Sequence, residues 1–281
     1  MRFSLPEDTE LRPFVIATPE IFRGFDARTT AGELGFYDAF DESNRPFLEA
    51  MNRANCLAHD GTVVPRSEVN SLGMPRWVML DCAILPAGMF GFEVPVDAIP
   101  PDVRTRLDPS GQLDWIGISE YSAIPTLDPE TLMGISLFSL VQGRHLGIRT
   151  KALALKTLSA KHMSGVTQFD NPGLRVHIEF GPLEILSSTV AVHARPDESF
   201  VYRLEVPSDF ILDEMIEGKE PPYPVRSIET TERMKVDPTH RRAAKALTRK
   251  LNDGKGGWYI TDVGDVENGR VTSMIIGRLN G

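Results

Sequence analysis

The chain of 281 residues predicts an α+β protein built on a mixed, mostly antiparallel sheet flanked by helices. Three observations carry this expectation. Short apolar runs bounded by turn residues recur at 77–84, 89–94 and 114–124, the length and composition of strands. Segments with apolar residues at helical spacing stand apart from them, after Pro46, after Ile148 and after Pro238. The order of the pieces is helix, antiparallel strands, then strand, helix, strand, helix and two strands, which suits a sheet covered by helices.

Residues 1–75 read as polar and loop-rich, with one helix on which Phe47, Met51, Ala54 and Leu57 share a face and for which Ser43 or Asn44 offers the cap. Strands follow at 77–84, including Asp81 and Cys82, and at 89–94. A proline-punctuated stretch at 97–108 leads to the strand at 114–124, and Pro125-Thr126-Leu127-Asp128-Pro129 turns the chain into another at 131–141. Next comes a helix with Ile148, Ala152, Leu155 and Leu158 on one stripe, then a short strand at 164–169. At Asp170-Asn171-Pro172 an Asx-Pro pair signals a helix start. Beyond it Leu174, Val176, Ile178 and Phe180 alternate with Arg175, His177 and Glu179 at the period of a strand. The cap decides for a helix here.

Strands at 185–192 and 200–206 precede a tail in which Asp237-Pro238 opens a basic helix through Arg241, Arg242, Ala244, Leu247 and Leu251, stopped at Asp253-Gly254. Two last strands, 257–263 and 270–276, join through a turn around Glu267-Asn268-Gly269. This hairpin could extend the sheet, cover a cleft, or pair with another chain to give a homodimer. Three parts are expected: an extension at 1–75, a core at 76–207 and an appendage at 208–281.

The chemistry concentrates at Gln142-Gly143-Arg144-His145-Leu146-Gly147, between a strand and a helix. A glycine-bearing turn at a helix start leaves several backbone N–H groups aimed at one spot, with the positive end of the helix dipole behind them. Such a turn holds phosphate. The order Q-x-x-H-x-G resembles the acyl-coenzyme A motif of the GCN5-related N-acetyltransferases, (Q/R)-x-x-G-x-(G/A), with His145 in place of the first glycine. The helix led by Asn171 and closing on Gly181 is similar to that family's second motif, with His177 where an aromatic residue, often tyrosine, stands. The resemblance covers about residues 112–206.

That resemblance implies an acyl-CoA N-acyltransferase-like core and acetyl-CoA or another acyl-CoA as co-substrate. It implies transfer of the acyl group to an amine by direct attack, without an acyl-enzyme. Main-chain amides from Gln142, Gly143, Arg144, His145, Leu146, Gly147 and Ile148 would grip the pyrophosphate, with Asn171 contributing from the second motif. Leu137 and Phe138 occupy the strand that supplies a backbone donor to the thioester oxygen. His177 stands where a proton donor to the thiolate is expected, and Glu120 where a base for the amine is expected. Asp81 and Glu93 are rivals to Glu120. Family relatives that take longer acyl chains, of the acyl-homoserine-lactone or N-acyl amino acid synthase type, and a non-catalytic binding or assembly protein of the same fold are the alternatives.

Bulk properties narrow the field further. A formal charge of −9, from 39 acidic and 30 basic residues, argues against a nucleic-acid partner and against an anionic membrane surface. It suits an amine-bearing small molecule. Two cysteines outside any metal or redox spacing point to a reducing, cytoplasmic setting, and no apolar run reaches the roughly 20 residues that span a bilayer. No metal, P-loop or nucleophile-elbow motif is present.

Overall fold

The computed structural model describes residues 2–17, 28–29, 32–58, 88–189, 195, 198–219, 228–252 and 256–279. The strand expected at 77–84 lies outside them, and with it Asp81 and Cys82. Two compact units divide the chain. The first comprises Met1–Leu127, Ile135–Ser159 and Leu212–Lys219, the second Asp128–Gly134, Ala160–Ile211 and Glu220–Gly281.

The first unit holds strands β1 (Arg12–Ala17), β2 (Gly35–Asp38), β3 (Gly88–Pro95), β4 (Trp115–Pro125) and the later half of β5 (Thr131–Ser139), in the order β5-β4-β3-β1-β2. β1 runs antiparallel to β3 and parallel to β2, and β3 is antiparallel to β4. The sequence-based expectation had left residues 1–75 without a strand. β1 was missed because Phe14, Val15, Ile16 and Ala17 are apolar without alternation, and all four are buried because the strand is covered on both faces. Helix α1 (Arg45–Ala58) forms where its spacing placed it, burying Phe47, Leu48, Met51, Ala54 and Leu57. A 3-10 turn at Glu42–Asn44 precedes it, itself capped by Asp41, whose side chain accepts from the Ser43 N–H at 2.9 Å.

Helix α2 (Pro101–Leu107) fills the proline-punctuated stretch, and α3 (Leu146–Thr157) follows β5. α1 packs on β4, and α3 packs on β3 and β4. They cover opposite faces. Ser119 of β4 meets Thr150 of α3 at 2.7 Å, whereas Glu120, the next residue and therefore on the other face, meets Asn55 of α1. Phe14 occupies the space over two glycines of the central strands: a Cβ on Gly91 would lie 2.1 Å from the Ser119 carbonyl and 2.5 Å from the Phe14 ring.

The second unit orders its strands β9-β11-β10-β7-β8-β6-β5, with β6 at His162–Gln168, β7 at Leu183–Ser188, β8 at Ser199–Glu205, β9 at Glu232–Val236, β10 at Trp258–Val263 and β11 at Met274–Arg278. Among these described strands every pairing is antiparallel except β5 with β6, which is parallel from Thr131 opposite His162 to Gly134 opposite Gly165. Helix α4 (Leu174–Ile178) lies by β10 and α6 (Arg241–Leu251) packs on β7, while α5 (Asp209–Glu217) belongs to the first unit from Leu212 onward. The alternation across 174–180 does not make a strand, because Asn171 Oδ1 accepts from the Gly173 N–H at 2.8 Å and starts a helical turn that buries Leu174 and His177.

The terminal hairpin extends this unit's sheet through β10 and β11. Its expected second strand is two pieces: Arg270–Val271 pairs with Val266–Glu267, and after Thr272 and Ser273, which lie outside any strand, the chain resumes as β11. β9 escaped the sequence reading because charged Arg233 and Lys235 alternate with only half-buried partners, as on an edge strand. At the end of β6 a charge network ties three segments together. Asp170, 4% exposed, receives Arg195 at 2.7 Å and Arg270 at 2.6 Å, and Arg195 also meets Glu198 at 2.8 Å. No helix among the described residues is long and apolar enough to cross a membrane.

Candidate functional site

The turn after β5 holds two residues in the left-handed region. Gly143 has φ +76° and His145, the residue before α3, has φ +53°, both in the left-handed region that favours glycine. His145 therefore differs from the family motif in its side chain while adopting the backbone conformation that a glycine would take with less strain. Gln142, Gly143 and His145 are exposed, and Leu146 anchors the turn by full burial.

The Gln142 N–H donates to Phe3 O at 2.9 Å, and those of Ile148 and Arg149 both donate to His145 O at 3.0 Å. Between them, the N–H groups of Gly143, Arg144, His145, Leu146 and Gly147 have no acceptor among the described residues, and His145 makes no side-chain cap. An ordinary helix start leaves its first four donors open. Here the open donors extend back through two left-handed residues, Gly143 and His145.

Two cations frame this run. Arg144 points back to the N-terminal segment, where its guanidinium donates to the carbonyls of Pro6 at 2.9 Å and Glu7 at 3.2 Å. It is a strut holding the turn to the chain start, alongside the pairing of Phe3 with Val141. Arg149 donates to Ile216 O at 2.8 Å and lies 4.8 Å from the centre of the Phe92 ring. Burial pulls its pKa down to about 10, and repulsion from Arg144 adds to the effect. Carbonyl partners orient both side chains, and neither guanidinium has an ion pair among the described residues.

Glu120 is buried, and its Oε2 accepts from Ser136 Oγ at 3.2 Å and Asn55 Nδ2 at 3.4 Å, with those two groups 3.3 Å apart. A strand, a helix and a neighbouring strand converge on one carboxylate oxygen. Sequence reading missed Asn55 and Ser136. Asn55 had left a legible trace, since it breaks an otherwise apolar helix stripe with Leu48 and Met51. Leu137 and Phe138 follow Ser136 on β5, Leu137 half-buried and Phe138 buried. Glu93, a rival to Glu120, is committed elsewhere: it accepts from Arg12 at 2.6 Å and from the Tyr37 hydroxyl at 2.7 Å, a lock on the edge of the sheet. Lys151 is also fully buried on α3, where desolvation holds its amine well below the ordinary lysine range.

His177 and Asn171 belong to the second unit. The His177 ring is nearly buried and its centre lies 5.1 Å from that of Tyr202 on β8. Tyr202 crosses Gly165, where an added Cβ would come within 2.6 Å of the hydroxyl, and burial raises its phenol above the ordinary range. Asn171 spends its side-chain oxygen on the Gly173 cap. Among the described residues no cluster of His, Cys, Asp or Glu could hold a metal ion.

No protein-family model matches the chain, and no curated protein matches it. Among solved structures it is similar to aminoglycoside 6'-acetyltransferase type Ii, at 10% identity and a TM-score of 0.39, over 61% of this chain and 97% of that one. It is also similar to an acetyltransferase of the GNAT family from Bacillus anthracis, at 10% identity and TM-score 0.37 over 59% and 92%. An acetyltransferase from Thermus thermophilus gives 14% identity and TM-score 0.36 over 58% and 92%. These are likenesses of partial outline.

Proposed function

We propose that this chain is an acyl-CoA-dependent N-acyltransferase, taking a short acyl group, acetyl in the simplest case, to a small-molecule amine. The observation that carries the reading is the run of five open backbone donors from Gly143 to Gly147, set before α3 and framed by Arg144 and Arg149. Fixed N–H groups with positive potential behind them suit a pyrophosphate. A bound acyl-CoA supplies the thioester carbon. The chain's own part is to orient it and to manage protons: Glu120, held by Asn55 and Ser136, accepts the proton of the amine, while the leaving sulfur takes up a proton, the role that the family resemblance implies for His177.

A second reading is favoured by one observation. Glu120 is 0% exposed and His177 9%, which suits a protein that binds the nucleotide without turning over. Calorimetric titration with CoA and thiol release with a panel of amines separate the two. The expected result is CoA binding that Gly147→Val abolishes, with thiol release that Glu120→Gln lowers at least about 100-fold while binding persists. Binding without thiol release from any amine establishes the second reading. No CoA binding overturns both.

A further inference from the structure

Helix α6 is the strongly basic element, among those described, of an acidic chain. Its sequence RRAAKALTRKL holds Arg241, Arg242, Lys245, Arg249 and Lys250 and no acidic residue, against a formal charge of −9 for the whole. Ala244, Leu247, Thr248 and Leu251 form its buried stripe, and the Ser188 hydroxyl of β7 donates to Thr248 O at 3.2 Å. At 100° per residue, Arg242 and Arg249 point directly away from that stripe, with Lys245 beside them. The flanking cations are already paired: Arg241 meets Glu198 at 3.4 Å, and Lys250 pairs with Glu232. Arg242 and Arg249 are exposed, and their side chains have neither an ion pair nor a hydrogen bond among the described residues.

Helix energetics account for Arg249 and Lys250 in the last turn but not for the arginines that open the helix. Arg241 and Arg242 sit in the first turn, where the helix dipole disfavours cations, and solubility is served by the acidic majority. We infer that the outer face of α6 is a docking surface for a partner protein that presents a helix with acidic side chains at matching spacing. Arg242 and Arg249 lie seven residues apart, about 10 Å along the axis. An antiparallel helix with Glu or Asp at every third and fourth position meets such a row, each contact adding a charge-assisted hydrogen bond. Duplex nucleic acid is disfavoured because the row is too short to neutralise many of its phosphates. This surface stands apart from the acyl-transfer reading and does not depend on it.

The test uses the full chain and a fluorescent helical peptide with Glu at every third and fourth position, read by anisotropy. Binding should weaken at least about tenfold when Arg242→Glu and Arg249→Glu are combined. It should change less than about twofold in the charge-matched pair Arg233→Glu with Lys235→Glu on β9. Circular dichroism checks folding, and the milder pair Arg242→Gln with Arg249→Gln should reproduce the direction should the reversed pair fold poorly. Equal loss in both reversed pairs, tighter binding of a DNA duplex than of the peptide, or an α6-dependent dimer in sedimentation without peptide binding would each overturn the inference.

Discussion

At the scale of single residues, the backbone angle matters more than the side chain in the turn before α3. Gly143 sits at φ +76° with no neighbour within 4 Å of an added Cβ. A Gly143→Val substitution is thus resisted by conformation alone, at about 1–2 kcal/mol, and we expect it to lower both thermal stability and CoA affinity. His145→Gly removes the side chain while keeping the left-handed conformation, so CoA affinity measured by calorimetry should hold or improve. A loss of affinity would show instead that the imidazole itself touches the ligand. The turn was legible here from residue order, and His145 adopts a left-handed conformation within it. The strut formed by Arg144 was not, because its partners are carbonyls of Pro6 and Glu7 far away in sequence.

The scale of elements decides what the central strands tolerate. β3 and β4 approach closely because Gly91 leaves room for Phe14 and the Ser119 carbonyl. Since a backbone oxygen cannot yield as a flexible side chain does, Gly91→Ala is expected to cost about 1–3 kcal/mol, read as a lower denaturant midpoint. The end of β6 depends on charge. Burial alone would raise the Asp170 carboxyl, but hydrogen bonds from Arg195 and Arg270 override it and hold the group below its ordinary value of 3.8. A carboxylate lowered in the folded state contributes stability that is fully present above the unfolded value and is lost as pH falls through the folded one. Unfolding of this region, followed by hydrogen exchange, should therefore accelerate in acid below about pH 4. Asp170→Asn should flatten that dependence while destabilising at neutral pH by about 2 kcal/mol, a figure discounted for the half-exposed arginines.

Across the whole molecule, the chain start is part of the turn's support. Phe3 pairs with Val141, its carbonyl takes the Gln142 N–H, and Arg144 closes on Pro6 and Glu7. Deleting residues 2–9 should weaken CoA binding at least about tenfold with α1 and the central sheet retained, since a misplaced donor run loses the orientation that gives it affinity. Calorimetry beside circular dichroism would check this. Unchanged binding would mean that α3 alone fixes the turn. The composition that argued against nucleic acid describes the chain as a whole, while α6 shows that charge is unevenly distributed over it.

The sequence by itself determined the elements whose signal is local. α1, α3 and α6 follow from helical spacing, α4 from an Asx-Pro start that prevailed over a strand-like alternation, and the turn from its glycines. These rest on interactions within a few residues. Only the tertiary structure decided that β1 lies inside the first unit's sheet and that β9 forms an edge of the second unit's, because uniform apolarity and alternating charge are read differently once the neighbouring strands are known. It alone also brought Asn55 and Ser136 to Glu120, residues 65 and 16 positions away. A buried carboxylate must gather hydrogen-bond donors wherever packing supplies them, and no local pattern in the chain records which ones arrive.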